Sequence, residues 1–418
     1  MALLAVFIVL VFAYGLVSRR LEGTVVTGPI VFTVAGIVAG TVAPGALAAT
    51  VSSHFFLHLA EVGLVLLLFT DAGRTDLSLL WNIRDLPARL LAVGLPLTIL
   101  LGTVAAGLVF PNLTLWEAAI LAAILAPTDA GLGQIVVTSP RAPLRVRQAL
   151  NVEAGLNDGL SVPFLLFFIA LASASEEGTR ASFTQFVVEQ LGYGVAVGAA
   201  IGLVGGWLLG GAARRDWISG PFRQCGVVAL PLLCLLVSDV VAASMFIAAF
   251  VAGLAVQKGF RDAAHHSLEF SEIWGQIINL SVFFLFGMIV ARDWSDIDLA
   301  IAAYAVLSLT VVRLVPVAPS LIGSGLGRAT VLFMGWFGPR GLASIVLGLV
   351  YLEQEFKLSG ESTIRLATIA TVLLSIFSHG LSAQPGIALY ARRVAALAAD
   401  APERRDDKSI TLIGRRAD

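Results

Sequence analysis

The 418-residue chain is 58% hydrophobic and 13% charged, with a mean hydropathy of +0.90 and a formal net charge of −1. Soluble domains carry roughly 25% charged residues. The composition therefore excludes a soluble globular protein and leaves an all-α polytopic membrane protein. No segment is long and polar enough to form a separate soluble domain.

A spanning helix needs ~20 predominantly apolar residues. In chain order the apolar runs predict thirteen transmembrane helices: 2–18, 25–43, 54–73, 90–110, 115–138, 149–172, 186–210, 224–241, 243–257, 273–291, 299–321, 330–351 and 364–386. The first lacks the basic start and cleavage site of a signal peptide and is followed by Arg19 and Arg20. It reads as a span with its N-terminus outside. The eighth and ninth runs are nearly continuous, and the ninth is short. Cys225 and Cys234 share the eighth and read as free thiols rather than a disulfide framework.

Basic residues concentrate on the inner side of membrane proteins. With the N-terminus outside and thirteen spans, only Arg180, Arg292, Lys357 and Arg365 of the 27 basic residues fall in outer loops, and Arg313 and Arg340 fall within spans. All the others lie in inner loops or in a short cytoplasmic tail. The expected domains are a transmembrane unit over 1–390 and that tail over 391–418. Spans 1–6 start outside and spans 8–13 start inside, so two inverted six-helix repeats are expected about span 7. The fifth member of each repeat is interrupted, by Ala126-Pro127-Thr128-Asp129 and by Gly338-Pro339-Arg340-Gly341. Paired interruptions of this kind point to a transporter's central site.

Ionised side chains at bilayer depth cost ~2.5 kcal/mol or more each, so those present read as functional. Pro127 removes a backbone donor and breaks the fifth span. The broken backbone supplies free carbonyls, Thr128 a hydroxyl and Asp129 a carboxylate, all hard oxygen ligands suited to a small cation. On the sixth span Glu153 and Asn157 share a face, Asp158 is one step round toward Asp129, and Ser161 lines the same route. Two carboxylates in a poorly solvated pocket repel each other and are desolvated, and both effects favour proton binding. A bound Na⁺ or Li⁺ favours the ionised form. Competition between cation and proton for Asp129 and Asp158 then gives exchange. Arg340 needs an anion, and Glu153 is the expected partner in a structural ion pair. Asp71 either lines an inward funnel or is a solvated helix end. Arg313 either snorkels or pairs with an acid, Glu61 is a deep carboxyl or a hydrogen-bonded neutral one, and Asp239 and His379 read as helix-end residues.

These motifs resemble the monovalent cation/proton antiporters, in the branch of NhaP-type proteins and sodium/proton exchangers. The resemblance rests on Ala126-Pro127-Thr128-Asp129, Glu153-Ala154-Gly155-Leu156-Asn157-Asp158, Gly338-Pro339-Arg340-Gly341-Leu342 and, more loosely, Leu68-Phe69-Thr70-Asp71-Ala72-Gly73. It implies an NhaA/NhaP-like fold in which spans 5 and 12 cross at the membrane midplane, and a homodimer with an elevator-like motion of a core domain. It implies Asp158 as principal ion and proton carrier, with Asp129 and Thr128 in the ion site, held by Asn157. It also implies the Glu153–Arg340 ion pair, and electroneutral exchange from the Asn157-Asp158 pair. Many relatives carry a serine where this chain has Ala154, which removes one ligand; water, Ser161 or Asp71 is expected to take its place.

The expected function is thus Na⁺(or Li⁺)/H⁺ antiport across the cell (inner) membrane, serving pH and sodium homeostasis, without cofactor or nucleic-acid partner. The alternatives are K⁺/H⁺ antiport, a cation channel, and an intramembrane aspartyl hydrolase built on Asp129 and Asp158. No Walker loop is present, which disfavours ATP-driven pumping.

Overall fold

The computed structural model describes residues 2–21, 24–43, 53–74, 85–177, 192–260, 267–352, 358–398 and 401–403. Among them the regular structure is entirely helical. Nine helices among the described residues are long and apolar enough to cross a membrane. They are α1 (Ala2–Leu21), α3 (Ser53–Arg74), α4 (Asp85–Val109), α7 (Leu144–Glu177), α8 (Gly194–Arg214), α9 (Gly220–Val240), α11 (Ser267–Asp293), the pair α12 (Leu299–Leu309) and α13 (Val311–Ser320), and α16 (Glu361–Ala395). Four shorter apolar helices join them: α2 (Gly28–Val42), α5 (Leu115–Ile124), α10 (Met245–Gly259) and α15 (Leu342–Leu352). Two further short helices, α6 (Ala130–Thr138) and α14 (Arg328–Trp336), complete the two interrupted segments.

Irregularities occur where the sequence carries a cause. Pro96 lacks the amide that an α-helix needs, and the turn before it widens to a π-helix over Leu90–Gly94. The hydroxyl of Thr310 donates back to Val306 O at 2.6 Å, a bond that bends helices, and α12 gives way to α13 there. The nearly continuous eighth and ninth runs separate at a turn with Ala242 at φ 54, after which Ser244 caps α10. The start predicted for the seventh span, at 186, lies outside the described residues. The predicted tail begins inside α16, which continues to Ala395.

One set of helices packs through glycine. Gly194, Gly198, Gly202, Gly206 and Gly210 recur every fourth residue of α8, and all five are buried. They face backbone and small side chains of α10: a Cβ on Gly202 would lie 2.8 Å from Ala252 Cα and from Ala255 Cβ. Such small-residue rows let helix backbones approach in lipid, where dispersion replaces the hydrophobic effect as the attraction. Gly36 and Gly40 of α2 meet Phe284, Gly287 and Met288 of α11 in the same way, and Gly253 of α10 meets the backbone of Phe69 on α3. The other set, α4–α7 with α12–α16, surrounds the two interrupted segments. The outer faces are apolar: Val9, Phe12 and Leu16 of α1, Leu100 and Leu108 of α4, and Trp207 of α8 are all exposed.

Each interrupted segment starts at a buried glutamate. Thr114 and Glu117 form a capping box at α5, and Glu117 also accepts from Gly360 N at 2.6 Å, which ties in the start of α16. At α14 the equivalent acceptor comes from beyond α16: Glu403 takes Gly327 N at 2.7 Å and Thr330 Oγ1 at 3.0 Å.

Candidate ion-binding site

The two interruptions meet. Downstream of Pro127 the chain stays extended until Asp129, whose side chain caps α6 by accepting from Leu132 N at 2.8 Å. The other carboxylate oxygen accepts from Leu342 N, the first residue of α15. Asp129 N in turn donates to Pro339 O at 2.8 Å. One buried carboxylate thus closes the N-termini of two half-helices, one from each interrupted segment. Helix N-termini carry roughly half a positive charge each, so the pair offsets about one negative charge.

Arg340 does the reverse. Its Nη1 donates to Ala126 O at 2.6 Å and Pro127 O at 2.9 Å, the carbonyls released where α5 ends, and its backbone N donates to Ser375 Oγ at 2.7 Å. Arg340 is fully buried. The flanking glycines are steric requirements: a Cβ on Gly338 would strike the guanidinium of Arg313, and one on Gly341 would strike the Asp129 carboxylate. Gly338-Pro339-Arg340-Gly341 therefore reads as space for Arg313, an acceptor for Asp129, a clamp on the first break, and access for Asp129.

The ion pair of Glu153 is a correction to the sequence reading. Glu153 Oε1 pairs with Arg313 Nη1 at 2.7 Å, both side chains buried, whereas Arg340 binds carbonyls. Both arginines were lone cations in apolar spans, and sequence alone does not give the rotation of α13 that brings Arg313 to α7. His379, read as a helix-end residue, lies buried inside α16, with Nε2 2.9 Å from Trp336 O and Nδ1 beside Ser375. Asp239 does fall in the last turn of α9, and Glu61 bonds His58 at 3.0 Å.

On α7, Asn157 Nδ2 donates to Thr128 Oγ1 at 2.6 Å, and Ser161 donates to the carbonyl of Asn157 at 2.7 Å. Asp158 is 3% exposed, and among the described residues its Oδ1 has no hydrogen-bond partner. It faces the charges of both Asp129 and Asp71. Asp71 packs beside Gly155, where a Cβ would sit 3.5 Å from its own. Asn157 Oδ1 and Glu153 Oε2 are also buried without a partner among the described residues. A narrow cavity, wide enough for about one water, reaches Thr128 and Asp129 past Ala154 and the exposed Asn151.

Two residues of the glycine-packed set, neither singled out by sequence, touch this region. The Phe250 ring of α10 lies against Gly159, next to Asp158, and Asn279 Nδ2 of α11 lies 3.3 Å from the Cβ position of Gly131. Phe250 carries no sequence signal; Asn279 is a lone amide in an apolar run, which is one.

Charge bookkeeping then isolates one group. Glu153 is matched by Arg313, Asp129 by two helix N-termini, and Arg340 by two helix-end carbonyls. Asp158 has no matching positive group among these. The Asp71 carboxylate adds a second negative charge beside it, so a monovalent cation or a proton at Asp158 relieves like-charge repulsion as well as desolvation.

This architecture, apolar helices enclosing two interrupted segments that cap one another, defines a multi-pass membrane protein of the broken-helix transporter class. The family model described as "Sodium/hydrogen exchanger, transmembrane" matches residues 6–388, and the chain belongs to that family. It is therefore a member of a family of membrane exchangers, not of enzymes. The chain is 25% identical over 304 residues to a Na(+)/H(+) antiporter of Schizosaccharomyces pombe, covering 65% of this chain and 64% of the relative. It is 25% identical over 357 residues to the K(+)/H(+) antiporter NhaP2 of Shewanella sp. (strain MR-4), covering 84% of this chain and 61% of the relative. It thus spans less than two thirds of the length of these relatives. In fold it is similar to the sodium proton antiporter MjNhaP1 of Methanocaldococcus jannaschii, with a TM-score of 0.69, 18% identity, and coverage of 91% of this chain and 100% of that one.

Proposed function

We propose that this chain is a secondary antiporter that exchanges Na⁺ or Li⁺ for H⁺, with Asp158 carrying either ion. The observation that carries this reading is buried Asp158, which has no matching cation among the described residues, whereas Glu153 pairs with Arg313 and Asp129 caps two helix N-termini. Cation and proton then compete for one carboxylate. Moving the empty, charged site through the bilayer interior is costly, whereas loading either ion removes the charge of Asp158. Exchange is therefore obligatory and one-for-one, in line with the electroneutrality implied by the Asn157-Asp158 pair. Thr128, Asn157, Ser161, Asp71 and Asp129 supply oxygen around the transported ion. Asp129 serves mainly to join the half-helices, and the Glu153–Arg313 pair to hold α7 against α13.

In this reading thirteen spans form two inverted six-helix repeats, with the N-terminus outside and the tail beyond residue 390 in the cytoplasm. The set around the crossing moves as an elevator against the glycine-packed set, which is the dimer scaffold. Phe250 and Asn279 lie on the sliding boundary. The protein is a homodimer of the cell (inner) membrane serving pH and sodium homeostasis. The fold of a sodium proton antiporter and the family match support this assignment.

K⁺/H⁺ exchange is the second reading. It is favoured by the name of the NhaP2 relative and by Ala154 lining the cavity, which leaves one oxygen fewer for a small cation. Proteoliposomes with a pH dye, given Na⁺, Li⁺, K⁺ or choline with and without a potassium/valinomycin clamp, test both. Na⁺- or Li⁺-driven proton release insensitive to the clamp is expected. The apparent KM for the cation falls as pH rises, because protons leave the shared carboxylate; a pH-independent KM contradicts competition. Conductive flux without proton movement indicates a channel.

A further inference from the structure

Away from the crossing, α8, α9 and α10 enclose a cavity of about 370 Å³ at one end of the glycine-packed set. Arg214 of α8, Arg223 of α9 and Lys258 of α10 line it, with Gly210, Gly259 and Phe260. Among the described residues no acidic group forms an ion pair with any of the three cations, although Asp216 lies in the adjoining turn. Arg223 Nε is buried and has no hydrogen-bond partner among the described residues. We propose that this cavity binds the phosphate group of an anionic phospholipid.

Helix dipoles account for two of the cations but not the third. Arg214 and Lys258 sit in the last turns of α8 and α10, where carbonyl ends favour positive charge. Arg223 sits in the first turn of α9, which holds no acidic residue and where the dipole opposes a cation. An anion in the cavity offsets that opposition and gives the buried Arg223 Nε an acceptor. The glycine row brings α8 and α10 into direct contact beside the cavity: a Cβ on Gly210 or Gly259 would collide with the backbone of the other helix, and Arg214 Nη1 lies 3.2 Å from the Cβ position of Gly210.

The surroundings select a lipid over a soluble anion. Trp217 and Phe222, in the turn and first residues that join α8 to α9, are 74% and 70% exposed, and Arg215 lies over the Trp217 ring at 4.9 Å. Exposed aromatics at the ends of apolar helices mark the headgroup level. Basic pockets between helices at that level hold phospholipid headgroups. In the topology read from the sequence this end is the cytoplasmic one.

The test uses purified full-length protein and native mass spectrometry, with phosphatidylglycerol, phosphatidylcholine or inorganic phosphate added, on the wild type, R223Q and R223Q/K258Q. Exchange in phosphatidylcholine liposomes, expected unchanged in both variants, reports their folding. Each cation removed is expected to weaken phosphatidylglycerol binding about fivefold, and both together about 25-fold. Equal retention of phosphatidylglycerol and phosphatidylcholine, or binding indifferent to both substitutions, overturns the proposal. Variant-sensitive binding of inorganic phosphate with none of phosphatidylglycerol overturns the lipid and leaves a soluble anion. A variant that folds, exchanges and still binds phosphatidylglycerol as the wild type does is equally fatal.

Discussion

The helix crossing and the glycine row of α8 are both buried, and they are held together by opposite means. At the crossing nearly every contact is a charge or dipole met by another: Asp129 on two helix N-termini, Arg340 on two carbonyls, Glu153 on Arg313. Along α8 no side chain is present to pair, and shape alone brings α8 against α10. The first arrangement breaks with a change of charge, and at Gly338 and Gly341 with added volume too. The second tolerates no added volume. In the proposed function the transported ion belongs to the first, where a buried carboxylate, Asp158, is left without a matching cation among the described residues.

The comparison breaks most sharply at the leftover charge. Asp158→Asn is expected to abolish cation-induced proton release in proteoliposomes while the protein keeps its wild-type thermal midpoint; retained exchange removes Asp158 from the role. Next in size are the matched charges. Arg313→Ala strands Glu153 and is expected to cost about 3–5 kcal/mol of stability. Arg340→Ala strands two carbonyls and is expected to cost about 2–4 kcal/mol. Glu153→Gln should rescue Arg313→Ala and not Arg340→Ala, a double-mutant cycle that separates the pairing found here from the one read in the sequence.

A methyl-bearing side chain tests the other region. Gly202→Val is expected to cost about 1–3 kcal/mol by overpacking, read as a lower thermal midpoint with an unchanged apparent KM for the cation in the folded fraction. A changed KM would mean that the scaffold reaches into the site. Smallest is Ala154→Ser, which returns a hydroxyl to the cavity wall. It is expected to lower the apparent KM for Na⁺ about fivefold, the worth of one hydrogen bond, at unchanged thermal midpoint.

The helices and the first break were legible because their causes are local. Apolar runs mark the helices, and Pro127 interrupts one of them. Asp129, Asn157 and Asp158 stood out because charge and amide groups are rare in such runs; of the two bonds the resemblance implied for Asn157, the one to Thr128 is present, whereas Asp129 is held by Leu132 N and Leu342 N instead. The partner of Glu153 was not legible, because it depends on how α13 is turned about its own axis. A clue did exist in Gly338, whose missing side chain makes room for the Arg313 guanidinium. The double capping by Asp129 has no one-dimensional signature at all, since Leu342 lies 213 residues away.

That separation has a consequence for biosynthesis. When the first interrupted segment emerges from the ribosome, the amide that Asp129 needs and the guanidinium that Ala126 and Pro127 need have not been translated. At ordinary elongation rates of roughly 5–20 residues per second they follow on the order of 10–40 s later. Until then a carboxylate and two bare carbonyls must be sheltered by water, by the insertion machinery or at the edge of the bilayer. The first half of the chain is therefore an unfinished object, and expressed alone it is expected to be degraded rather than to accumulate in the membrane.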